Sequence, residues 1–150
     1  MQTLKIEIPN GYEIDSFDKS SGEIKFKPKA LAPKERIKTI ADILNDNKWK
    51  QQDLDKVTED LDKDEIAYIL LKMLAKSLND GWVPDWSNSN EYKYVPWFEM
   101  KGSSGFRFYV CDYWHALSAV GSRLCFKSSE LAEYAGKQFQ DLYKQFMIID

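Results

Sequence analysis

Histidine and cysteine are nearly absent from this chain, which has one of the former and two of the latter in 150 residues. Two cysteines are too few for the disulfide framework of a small secreted domain. Structural zinc sites are built on paired cysteines. Cys111, His115 and Cys125 would need a carboxylate as fourth ligand, so no metal and no cofactor is expected. A surplus of positive charge is also missing, since 21 Lys and Arg face 24 Asp and Glu for a net charge of −3. Such a balance gives no overall attraction for nucleic acid or anionic lipid. No apolar run is long enough to span a bilayer. The residues Met1 to Glu7 show no basic segment followed by an apolar one, so the expectation is a cytoplasmic protein with free thiols and no membrane.

Several familiar loops are lacking as well. The acidic stretch Asp53, Asp55, Glu59, Asp60, Asp62 and Asp64 contains no glycine for the sharp turn of a calcium loop. It reads as a solvated face. Gly102-Ser103-Ser104-Gly105 lacks the Gly-Lys-Ser/Thr ending of a phosphate loop and reads as a turn. No internal repeat or low-complexity tract is present.

What the chain does have is rings. Aromatic residues make up 14% of it, within 43% hydrophobic and 30% charged residues, a balance expected of one folded domain over residues 1–150. Leu4, Ile6 and Ile8 alternate with polar residues and predict a strand, as do Ile24 and Phe26. The two are expected to pair across a connection holding Tyr12, Ile14 and Phe17. Ile37, Ile40, Ala41 and Leu44 form the stripe of a short helix near Lys34–Leu44. Leu54, Val57 and Leu61 suggest a further turn or two.

The clearest helix runs over about Lys63–Leu78, opened by Asp62 and Glu65 in a capping-box spacing and stopped by Asn79-Asp80-Gly81. Three strands should follow, at Tyr92–Phe98 with Pro96 marking an edge or bulge, at Phe106–Val110, and at Arg123–Phe126. Ser128 then caps a final helix over about Ser129–Phe146. The expected fold is α+β, an antiparallel sheet of four to five strands packed against two main helices, plus one or two short helices.

The order Gly81-Trp82-Val83-Pro84-Asp85-Trp86, Asn90-Glu91-Tyr92-Lys93-Tyr94, Pro96-Trp97-Phe98, Val120 to Ser128 and Leu131 to Gly136 resembles a family of small proteins encoded by phages, prophages and mobile elements of anaerobic gut bacteria. The likeness covers about the last half of the chain, and the segment Ile8 to Asp15 is similar as well. The resemblance implies a phage or accessory product and no assigned activity.

Three functions are weighed. The first is a non-enzymatic binding or accessory protein acting through protein–protein contacts, as a homo-oligomer or with a protein partner. The second is a single-stranded nucleic-acid binder, less favoured, with Trp82, Trp86, Tyr92, Tyr94, Trp97 and Trp114 stacking bases beside Lys93, Arg107 and Arg123. Core filling by the same rings is favoured over this platform. The third is an enzyme centred on Cys111 and His115 with Asp112 as orienting group. Because the segment reads as strand and loop, no residue is assigned a catalytic role.

Overall fold

The computed structural model describes residues 3–101, 105–118, 121 and 123–149. The chain divides into two compact units, Met1–Ala32 and Pro33–Asp150.

The first unit is a hairpin of β1 (Tyr12–Phe17) and β2 (Ile24–Pro28), paired antiparallel. The expected strand at Leu4–Ile8 does not form, and the intervening segment takes its place. The reason is local turn chemistry. The Asp18 carboxylate accepts from the Ser20 amide at 2.8 Å and the Ser20 hydroxyl at 2.6 Å, and Gly22 adopts a φ of 74° that disfavours any side chain. This tight reversal pairs the residues next to it. Tyr12, Ile14 and Phe17 lie opposite Pro28, Phe26 and Ile24, with a bulge between Ile14 and Ser16 that keeps these residues on one face. Lys27 bridges Glu13 and Asp15.

The second unit holds every residue of the hydrophobic core. Its elements are α1 (Pro33–Arg36), α2 (Ile40–Asp46), α3 (Gln51–Val57), α4 (Lys63–Asn79), β3 (Lys93–Lys101), β4 (Phe106–Trp114), α5 (Ser129–Gln138) and α6 (Gln140–Met147). The single helix expected near Lys34–Leu44 is two, because Thr39 opens a new one. Its side chain accepts from the Asp42 amide while Asp42 accepts from the Thr39 amide at 2.8 Å. Helix α4 lies where its pattern placed it, with Glu65 accepting from the Asp62 amide at 2.9 Å. Ala67, Leu70, Leu71, Leu74 and Leu78 on it are almost wholly buried, each worth about 1.5–3 kcal/mol for the larger side chains.

Helix α4 packs against α2 and α6, and α5 lies across the β3–β4 hairpin. The expected four- to five-stranded sheet is replaced by two separate two-stranded antiparallel sheets. Near Arg123–Phe126 only Phe126 joins β3, through paired bonds with Tyr94 at 3.0 and 2.8 Å. A side chain takes over the neighbouring backbone groups. Asn79 donates to the Cys125 carbonyl at 2.8 Å and accepts from the Lys127 amide at 3.0 Å. Gly102, Ser103 and Ser104 of the expected turn lie outside the described residues. The final helix, expected as one, breaks at Phe139, whose φ and ψ of −114° and 30° leave the helical region. No helix among the described residues is long and apolar enough to cross a membrane.

Candidate interaction groove

A groove of about 620 Å³ opens within the second unit, along α4. Ile69 and Met73 of α4 line it, together with Trp49 and Val57 from the chain before α4 and Trp82, Val83 and Pro84 from the chain after it. It exists because α4 ends where it does. Asp80 and Gly81 have φ values of 51° and 84°, a left-handed pair that turns the chain back along its own helix. Trp82 then donates its amide to the Asn79 carbonyl at 3.1 Å. Beyond that turn Pro84 bars helix, and Val83 is left 78% exposed.

Polar side chains, half-buried at Asn47 and Arg36 and buried at Asn79, tie the lining segments together. Asn47, just after α2, donates to the Ser77 hydroxyl at 2.8 Å, to the Ile43 carbonyl at 2.9 Å and to the Met73 carbonyl at 3.3 Å. Arg36 donates to the Ser77 carbonyl at 3.0 Å and Asp80 at 2.9 Å, and it also pairs with Asp46. The buried Asn79 links the end of α4 to residues 125–127. Each such group keeps the partners a buried amide requires.

The segment after Pro84 is folded around one cation. Lys93 is fully buried. Its ammonium donates to the carbonyls of Asp85 (2.6 Å), Glu91 (3.0 Å) and Asn88 (3.1 Å), lies 3.2 Å from the Glu91 carboxylate, and sits 5.5 Å from the Trp86 ring centroid. The Glu91 carboxyl is held below its ordinary range, first by the Asp85 amide it accepts from at 2.8 Å and then by Lys93. The Ser87 hydroxyl and amide do the same to Asp85.

Charge in the groove is of one sign. Lys72, Lys76 and Arg123 line it, and no carboxylate does. Among the described residues none of the three takes part in an ion pair. The Lys72 ammonium lies over the Tyr68 ring at 4.8 Å.

The residues singled out from sequence fall in separate places. Trp82 and Arg123 are together in the groove. Trp86 packs on the Lys93 ammonium, and Trp114 lies opposite Lys93 in the strand pairing. Tyr92 and Tyr94 cluster with Tyr113 and His115, with Tyr92 4.7 Å from both the Tyr113 and His115 rings. Trp97 pairs with Val110, and both are 46% exposed. Arg107 is bound to Glu99 at 2.8 Å. Of the three cations proposed to serve those rings, Lys93 is buried, Arg107 is paired, and Arg123 lines the groove with Trp82 and has no ion-pair partner among the described residues.

Cys111 lies within β4 and His115 just beyond its end, where four extended residues span about 13 Å. The His115 ring contacts Tyr92 and Tyr113, while the Cys111 thiol donates to the Ser129 carbonyl at 3.5 Å. Burial pushes that thiol up to about 11. A thiol raised in this way is mostly protonated near neutral pH, and the thiolate is the form that attacks. Among the described residues no group of three or more His, Cys, Asp or Glu is placed to hold a metal ion.

Sequence reasoning missed Trp49, Met73, Lys72 and Lys76. The signal was available in the spacing, since Ile69, Met73, Lys72 and Lys76 fall at helical intervals along one side of α4. Comparisons with protein-family models, with curated proteins and with solved structures find no match to this chain.

Proposed function

We propose that the protein is a non-enzymatic binding or accessory protein acting through protein–protein contacts, and that the groove along α4 is its contact surface. One observation carries the reading. An apolar trough lined by Trp49 and Trp82 has its lining segments already tied by Asn47, Asn79 and Lys93. A preformed apolar surface loses little entropy on binding, and aromatic anchors supply most interface energy. The phage-like pattern around Gly81–Trp86 supports an accessory role, since Trp82, Val83 and Pro84 within it line the groove.

The test is site-specific crosslinking in cells that make the protein. A photoreactive amino acid at Val83 should capture a defined protein, and the same group at the remote Lys137 should not. Equal capture from the two positions, or none from Val83, overturns the reading.

A further inference from the structure

We propose that the groove receives an acidic amphipathic segment of a partner protein, with apolar side chains against Ile69, Met73 and Val83 and carboxylates against Lys72, Lys76 and Arg123. This rests on the reading of the groove as a protein-docking surface, and specifies its occupant.

The argument is electrostatic. The chain as a whole carries a net charge of −3, yet three cations and no carboxylate line the groove. Lys27, Lys34, Arg36, Lys93, Lys101, Arg107 and Lys137 all have carboxylate partners. The three cations of the groove have none among the described residues. Lys72 and Lys76 stand one turn apart on α4, a like-charge spacing that opposes helix formation in isolation. A cluster of unneutralised positive charge along an apolar trough is complementary to one kind of surface, an apolar stripe flanked by Asp or Glu. Helical ligands present such stripes at i, i+3, i+4 and i+7, and a trough running along α4 suits that geometry.

Other occupants fit less well. Single-stranded nucleic acid binds through successive stacked rings and a long basic track, whereas this groove has two ring residues, Trp49 and Trp82, among aliphatic ones such as Ile69, Met73 and Val83. Small apolar ligands are taken up where most of their surface is enclosed, and this groove is open to solvent.

The experiment is selection of a displayed random peptide library on the full-length protein. Enriched peptides are then synthesised and titrated by fluorescence anisotropy. Enriched sequences should combine Leu, Ile, Phe or Trp at helical spacing with an excess of Asp and Glu. The exposed double variant Lys76→Glu/Arg123→Glu, checked for retained fold by circular dichroism, should weaken them about tenfold or more. Raising salt from 50 to 300 mM should weaken them severalfold. Val83→Asp should weaken any groove ligand whatever its charge.

Peptides lost in Val83→Asp but unmoved by the double charge reversal overturn the acidic occupant and leave the docking surface standing. Enrichment of neutral or basic sequences does the same. Peptides insensitive to both changes overturn both readings. So does tight binding of an oligothymidine probe that the charge reversal removes, with no peptide enriched.

Discussion

Lys93 donates its ammonium to the carbonyl of Asp85 at 2.6 Å, eight residues back along the chain, and does so with no exposure to solvent. The segment between them is therefore wound around a charge. A hydrogen bond to a charged group is worth about 1.5–3 kcal/mol. Because that segment continues from Trp82, Val83 and Pro84, its order bears on the groove. Lys93→Met should cost about 2 kcal/mol or more in urea unfolding, and should shift Trp fluorescence to the red in the still-folded protein as Trp86 loosens. Lys93→Arg should not restore the wild-type values, because a planar guanidinium cannot replace a compact ammonium among three carbonyls. Unchanged stability in Lys93→Met would mean that the segment is held by something else.

Gly136 shows the opposite kind of constraint, steric and not polar. A Cβ there would lie 2.4 Å from the Phe108 ring and 2.9 Å from the Pro96 side chain. Alanine normally favours a helix over glycine by up to about 1 kcal/mol. Overpacking costs about 1–3 kcal/mol, and neither a proline nor a packed ring gives way easily. Gly136→Ala should lower Tm, by roughly 2–4 °C for each net kcal/mol lost. The double variant Gly136→Ala/Phe108→Leu should recover part of that loss. A raised Tm in the single variant would show that α5 does not lie so close to the β3–β4 hairpin.

These two residues mark where the sequence stops being readable. Helix α4 was legible because its signals are local, with Glu65 three residues after Asp62 and glycine just past the stop. The Ser128 cap of α5 was legible for the same reason. The strand at Leu4–Ile8 was misplaced although its alternation is clean, because the reversal at Asp18–Gly22 decides which residues meet. The expected third strand near Cys125 was lost to Asn79, a residue that reads as punctuation and acts as a clamp. The groove was half legible. Trp82 and Arg123 stood out by type, whereas Lys72 and Lys76 looked like the ordinary polar side of a helix until the fold placed Trp49 and Trp82 beside them.

The turn of the first unit should announce itself in acid. The hydroxyl and amide of Ser20, then those of Ser21, donate toward the Asp18 carboxylate and lower its pKa from 3.8 to about 2. The ionised form is the one bound. Its contribution is present above the unfolded-state value near 4 and is lost as pH falls through about 2. The amide resonances of Ser20 and Ser21 should therefore titrate with a midpoint near 2, and Asp18→Asn should abolish that step. A midpoint near 4 would show the carboxylate to be free in solution.

The thiol of Cys111 offers a direct test of whether the chain carries a reactive nucleophile. Its desolvation within β4, reinforced by Glu133 and opposed by Lys137, raises the thiol to about 11. Below that pH the thiolate fraction is small, and the thiolate is the form that attacks. At pH 7.5 alkylation by iodoacetamide should be slower than that of free cysteine. The rate should climb through pH 9–10 until the fold itself opens. Cys125, almost wholly buried and likewise raised to about 11, should resist labelling until denaturant is added. His115→Ala should leave the Cys111 rate unchanged, since the imidazole packs on Tyr92 and Tyr113 and not on sulfur. Labelling faster than free cysteine and slowed by that substitution would restore the dyad and remove the case for a protein that only binds.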